Sequence, residues 1–254
     1  MMRGGRGAVL CAVAILALVG CGRRGGQAES TRASATAAPV EAYTRAEDVP
    51  ERLGGDGTTI QVGDPNAETV VHLYEDPRCP YCRDFEADGG GPVLGEALLG
   101  RQVRAQYTLA SFLDDRVGGS GSEKAVNALR AAPAEGKFVE YHEVLYANQP
   151  EETVDGCTDD RLLELAGEVE GLRGPAFDKA VASMKYRSFV TASEKAYERA
   201  GGTAEPEGPG TPAAVVNKKR IPVDYSGVLY DGEAFGQLLR EVGADPDGWA
   251  DYAF

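Results

Sequence analysis

Cys79 and Cys82 stand two residues apart in the run Pro77-Arg78-Cys79-Pro80-Tyr81-Cys82-Arg83-Asp84-Phe85-Glu86. A pair at this spacing has three chemistries open to it: a static disulfide, half of a metal site, or a redox pair that exchanges electrons with other thiols. Where the first cysteine opens a helix, unpaired backbone N–H groups and the helix dipole stabilise its thiolate. That thiolate attacks a substrate disulfide, or is itself attacked when the pair is oxidised. The second cysteine, one helical turn on, then resolves the mixed disulfide. Pro80 suits the first helical position, because the N–H it lacks would be unpaired there. Arg78 and Arg83 act to lower the thiol pKa, while Asp76, Asp84 and Glu86 pull the other way. Two soft thiolates also suit Cu(I). With only three Met and two His in the chain, and neither His placed to complete a site, no metal is expected.

The elements that must position this pair follow from hydrophobic periodicity. Residues 58–63 read as a short strand and 69–76 as a stronger one, with the nearly continuous apolar run of a central strand. The cysteines follow it directly and open a broken helix, interrupted by the triple glycine at 89–91. Residues 101–110 alternate as a third strand. From about 121 to 200 the pattern turns helical. In one of these helices Phe138, Tyr141 and Leu145 share a face, Thr158 caps another, and Pro175 opens a third. Strand signals return at 212–217 and within 223–230, and the stretch from Asp231 is an amphipathic helix. The order predicts an α/β sheet with a helical insertion between the third and fourth strands.

Of 254 residues, 43% are hydrophobic, enough for one sizeable domain; the net charge of −14 argues against a nucleic-acid partner. Arg3 and Arg6 precede an apolar run over 8–19, too short to span a membrane comfortably and shaped like a secretory signal. The run ends in Leu18-Val19-Gly20-Cys21, which resembles the lipobox of bacterial lipoproteins. The resemblance implies cleavage of residues 1–20, lipid on Cys21 and an extracytoplasmic protein held at the cell membrane. Residues 21–55, rich in Ala, Ser, Thr and Gly, read as a flexible tether, and 56–254 as the folded domain. With Cys11 in the signal and Cys21 carrying lipid, only Cys79, Cys82 and Cys157 remain. One close pair and one odd thiol are too few for a disulfide scaffold.

The stretch His72-Leu73-Tyr74-Glu75-Asp76-Pro77-Arg78-Cys79-Pro80-Tyr81-Cys82-Arg83-Asp84-Phe85 is similar to the active-site region of the DsbA-like branch of the thioredoxin superfamily. In that branch an acid three residues before the first cysteine, here Asp76, precedes a C-P-x-C-R-x-F run. A second marker, Gly210-Thr211-Pro212-Ala213-Ala214-Val215-Val216-Asn217, resembles the family's loop in which a cis-proline precedes a strand. The resemblance covers roughly 56–243 and implies a thioredoxin-like fold. It makes Cys79 and Cys82 the redox pair, Pro80 and Asp76 its support, and Thr211, Pro212 and Tyr81 the substrate-binding rim. It also implies cysteine-bearing secreted or cell-envelope proteins as partners, a membrane redox partner for recycling, and no cofactor. Two departures matter. The buried acid that many members carry six residues before the first cysteine is replaced by Leu73, which leaves water or Glu75 to move protons. The dipeptide is Pro-Tyr rather than Pro-His, so a less oxidising pair is expected than in the strongest oxidants.

A disulfide donor fits this layout; a reductase, or a non-catalytic binding lipoprotein with a structural Cys79–Cys82 bond, are the alternatives. His72 reads as a packed strand residue, His142 as a solvated or satisfied helix residue, and Cys157 as an inert thiol.

Overall fold

The computed structural model describes residues 41–251. The expected signal segment, Cys21 and most of the expected tether lie outside them. Among the described residues no helix is long and apolar enough to cross a membrane.

Chain order runs β1 (Glu51–Leu53), β2 (Ile60–Gly63), β3 (Thr69–Glu75), α1 (Pro80–Asp88), α2 (Gly90–Leu99) and β4 (Val103–Leu109). The helical block follows as α3 (Leu113–Val117), α4 (Gly121–Ala131), α5 (Phe138–Ala147), α6 (Asp159–Ala166), α7 (Pro175–Ala182) and α8 (Arg187–Ala200). The chain closes with β5 (Ala213–Val216), β6 (Lys219–Arg220), α9 (Gly232–Ala244) and α10 (Pro246–Asp251). The six strands form one sheet in the order β1-β2-β4-β3-β5-β6.

β3 lies inside this sheet, parallel to β4 and antiparallel to β5. A parallel neighbour requires a crossover, and α1 with α2 supplies it. Thr69, Val71, Leu73 and Glu75 alternate along β3 as its fully buried side. The run that reads as evenly apolar thus ends in a buried acid. Gly90, where α2 begins, sits against Phe85 and Phe235; a Cβ there would come within 2.7 Å of both rings, so glycine lets α1, α2 and α9 close together. Strand and block side chains share one core, including Leu73 and Leu109 from the sheet and Phe138, Leu162 and Phe177 from the block. Tyr141 sets its ring edge against Phe177 and donates its hydroxyl to Leu162 O at 2.9 Å.

Three sequence expectations change. The folded part begins well before residue 56. Tyr43 N donates to Leu99 O, Val49 is buried, and β1 pairs with β2. The Glu51 carboxyl accepts the N–H groups of Phe138 and Val139, both at 2.8 Å, and so caps α5 from a distance in sequence. Burial raises that carboxyl to about 7. Second, 223–230 is no strand but 3-10 turns, Val223–Tyr230. Pro222 accepts a bond from Tyr225 N and starts the turn, while Leu229 anchors its far end in the core. The last strand is instead the short β6, joined to β5 by Asn217-Lys218, both at positive φ as a tight two-residue hairpin requires. Third, the small helices α3 and α10 carry no strong periodic signal and were not expected.

Candidate active site

Cys79 ends the loop after β3 and N-caps α1 in an extended conformation, with Pro80 in the first turn. The pair carries free thiols. Cys79 retains 5% exposure and Cys82 none, so only the first sulfur can be reached from outside. Hydrogen bonding from the Cys82 thiol lowers the Cys79 pKa most; Thr211 and the backbone N–H groups of Cys82 and Tyr81 add to this, and burial opposes it. The balance brings Cys79 down from 9.0 to about 7, while burial and the neighbouring Cys79 push Cys82 well above its ordinary value. The two sulfurs are thereby split into a nucleophile and a protonated reserve.

This split has a pH signature. The Cys79 thiolate should appear in an ultraviolet titration with a midpoint near 7, and be missing from Cys79→Ser. A depressed folded-state pKa adds stability above the unfolded value of 9.0 and loses it as pH falls through about 7, so reduced protein should gain stability from Cys79 between those limits. A midpoint near 9 would contradict the arrangement.

The loop is held from several sides. Asp76, fully buried, accepts from Arg78 N at 2.9 Å, Ser122 Oγ at 2.6 Å and Leu113 N at 3.1 Å, which ties it to α3 and α4. Burial raises its carboxyl to about 7. Gln149 Nε2 donates to both Pro77 O and Cys79 O at 2.9 Å. Arg78 does not turn toward the thiols. It is fully buried, pairs with Asp114 at 2.7 Å, and donates to Gly118 O and Glu152 O. Its charge is neutralised within the insertion, which corrects the expectation that it acidifies Cys79. Arg83 pairs with Asp84 at the surface.

From the far end of the insertion the chain returns to the same place. The Thr211–Pro212 peptide is cis, and the Cys79 thiol donates to Thr211 O at 3.3 Å across 132 residues of sequence. Tyr81 is 61% exposed on the outer turn of α1 and meets Tyr230 edge-on at 6.5 Å. Cys79, Cys82, Thr211, Pro212, Tyr81, Pro80 and Asp76 thus converge at the C-terminal end of β3. Cys157 is buried, unpaired and raised to about 11 by burial. His72 lies on the less buried side of β3, bonded to Thr108 at 2.8 Å.

Glu75, two residues after Leu73 and on the same side of the strand, is fully buried behind the pair. Burial raises it to about 7, and its charge acts on Cys82. His142 reaches it from α5 at 2.9 Å. Gln149 is not legible as a site residue in the sequence, and His142, read there as a solvated or satisfied helix residue, is the satisfied one, buried against Glu75. For His142 the signal was present, because position 142 falls on the same helical stripe as Phe138, Tyr141 and Leu145.

Residues 55–228 match the family model described as thioredoxin. No curated protein matches the chain. Among solved structures, MdbA, a thiol-disulfide oxidoreductase from Corynebacterium matruchotii, is 17% identical with a TM-score of 0.58, over 70% of this chain and 88% of its own. BdbD from Bacillus subtilis is 18% identical with a TM-score of 0.57, over 81% and 98%. DsbA from Mycobacterium tuberculosis is 23% identical with a TM-score of 0.51, over 76% and 98%. By its match to the family model over residues 55–228 the chain belongs to the thioredoxin family, and it shares its fold with these structures.

Proposed function

We propose that the protein is an extracytoplasmic thiol–disulfide oxidoreductase, held at the membrane by lipid on Cys21, that donates its Cys79–Cys82 disulfide to cysteine-bearing secreted and cell-envelope proteins. The observation that carries this reading is the asymmetry of the pair: one acidified, reachable sulfur at a helix N-terminus and one buried, protonated sulfur a turn behind it. A static disulfide has no need of that difference. The Thr211 carbonyl beside Cys79 offers the backbone of a bound chain an acceptor, and strand-like pairing there gives affinity with little side-chain selectivity. Pro212 and the exposed Tyr81 complete the rim. The same chemistry is named for MdbA from Corynebacterium matruchotii.

We take the donor direction from the DsbA-like layout of the pair, and the lowered thiolate pKa agrees with it. Lowering the pKa of Cys79 favours the reduced pair and makes the disulfide the better electron acceptor. A value of about 7 equals that of thioredoxin, and Tyr81 adds no positive charge, so the pair is far less oxidising than the strongest oxidants. No cofactor enters this scheme; a membrane redox partner reoxidises the pair. The test is redox equilibrium of the protein in glutathione buffers. A potential between about −120 and −200 mV is expected. A value near about −270 mV would assign a reductase, and a pair still oxidised below about −300 mV would remove the enzymatic reading.

A further inference from the structure

Each turnover of the pair moves a proton at Cys82, and Cys82 has no exposed surface. Glu75 behind it is sealed as completely. A lone acid there would pass on one proton and then need another. Two more groups stand in line. His142 Nε2 lies 2.9 Å from Glu75 Oε2, and the other ring nitrogen, Nδ1, faces Glu86 Oε2 at 3.8 Å. One ligand atom each of Glu75, Glu86 and His142 lies within 4.8 Å of the other two, and Tyr146 stands beside Glu75, so acids, ring and phenol form one buried cluster. Glu86 and His142, unlike Glu75, line a cavity of about 430 Å³ between α1, α2 and α5, walled by Val49, Leu98 and Phe138.

We propose that His142 shuttles protons between Glu75 and Glu86, so that the buried thiol exchanges its proton with the cavity at the back of the active site. This rests on the redox reading of the pair. An imidazole between two carboxyls can release a proton from one nitrogen while taking one at the other. In the donating direction, a substrate thiolate attacks Cys79 Sγ, the Cys79–Cys82 bond breaks, and its electron pair leaves on Cys82 Sγ. Glu75 gives Cys82 a proton and regains one from His142 Nε2. His142 Nδ1 is resupplied by Glu86, which recovers its proton from water in the cavity. Reoxidation runs the path backwards. A movement of about 1 Å brings Nδ1 and Glu86 into hydrogen-bond range.

The groups facing the ring favour this path. They are Glu75 from β3, Glu86 from α1, Tyr107 from β4, and Glu143 and Tyr146 from α5. Burial raises Glu75 to about 7 and Glu86 well above the carboxylate range, and lowers His142. Burial thus favours the neutral forms of Glu86 and His142, while Glu75 is poised between its two forms near neutral pH. His142 acts through Glu75 and does not touch the sulfurs.

The test is turnover with a reduced dithiol peptide under an external oxidant. His142→Ala should slow it on the order of 10²-fold, the usual weight of positioned proton transfer. Imidazole, entering the space left beside the cavity, should restore most of the rate. Pyrrole has the same shape but no basic nitrogen, and should restore none. Equal rescue by both, or a rate equal to the parent's, would leave His142 a packing residue and overturn the shuttle. Should His142→Ala not fold, Glu86→Gln at the cavity edge is expected to slow the same step, and an unchanged rate there would equally overturn it. Failure of the unaltered protein to exchange thiols would instead overturn the redox reading itself.

Discussion

Cys82→Ala is expected to accumulate as a mixed disulfide joined to substrate through Cys79, and Cys79→Ala to form none and to exchange thiols only at the background rate. The reason is access. A partner sulfur approaching the loop after β3 meets Cys79, while Cys82 is covered completely. The first bond must therefore form at Cys79, and its release by Cys82 is the step that alanine at 82 removes. The same substitution has a second effect. The Cys82 thiol is the largest contributor to the low pKa of Cys79. Without it the Cys79 pKa returns toward 9.0. At pH 7 a full return would cut the thiolate population about fiftyfold. Trapping should accordingly be slow at neutral pH and speed up toward pH 9. Mass spectrometry of adducts with a disulfide-bearing substrate, taken across that range, reads both effects. Full turnover by Cys82→Ala would rule out the two-cysteine mechanism.

Arg78→Ala should destabilise the domain more than most substitutions near the site. Arg78 is completely buried and holds Asp114 at 2.7 Å, with two of its remaining donors on Gly118 O and Glu152 O. Asp114 in turn accepts the N–H groups of Ser122 and Glu123 at the start of α4. Removing the guanidinium leaves a nearly buried carboxylate and two carbonyls short of partners, a loss of about 3–5 kcal/mol. For a chain of this size that lowers Tm by roughly 10 °C. Thermal unfolding of the reduced protein measures it. A double replacement, Arg78→Met with Asp114→Leu, should recover part of the loss, because two apolar side chains leave no unpaired charge. An unchanged Tm for Arg78→Ala would mean that this pair does not fasten the insertion to the active-site loop.

Much of the site could be read along the chain because near neighbours encode it. The strand before the cysteines, the helix that Cys79 caps and Pro80 opens, the Thr158 cap, and the helices at 121–131 and 232–244 each follow from periodicity or capping within a few residues. The split between Cys79 and Cys82 also begins there, since position at a helix N-terminus already favours the first sulfur. Local pattern misled at 223–230, where alternation imitates a strand but a proline entry and one buried leucine favour 3-10 turns. It also missed the early start of the fold. Glu51 has a structural task only because the N–H groups of α5 come to lie against it, 87 and 88 residues later in the chain. Tertiary structure alone decided that Arg78 serves Asp114 rather than the thiols, that Gln149 grips Pro77 and Cys79, and that Glu75, His142 and Glu86 meet behind Cys82. These are contacts of charged and polar groups in places water does not reach. There a side chain's protonation and partner depend on what the fold packs against it, and its own neighbours in sequence do not carry that information.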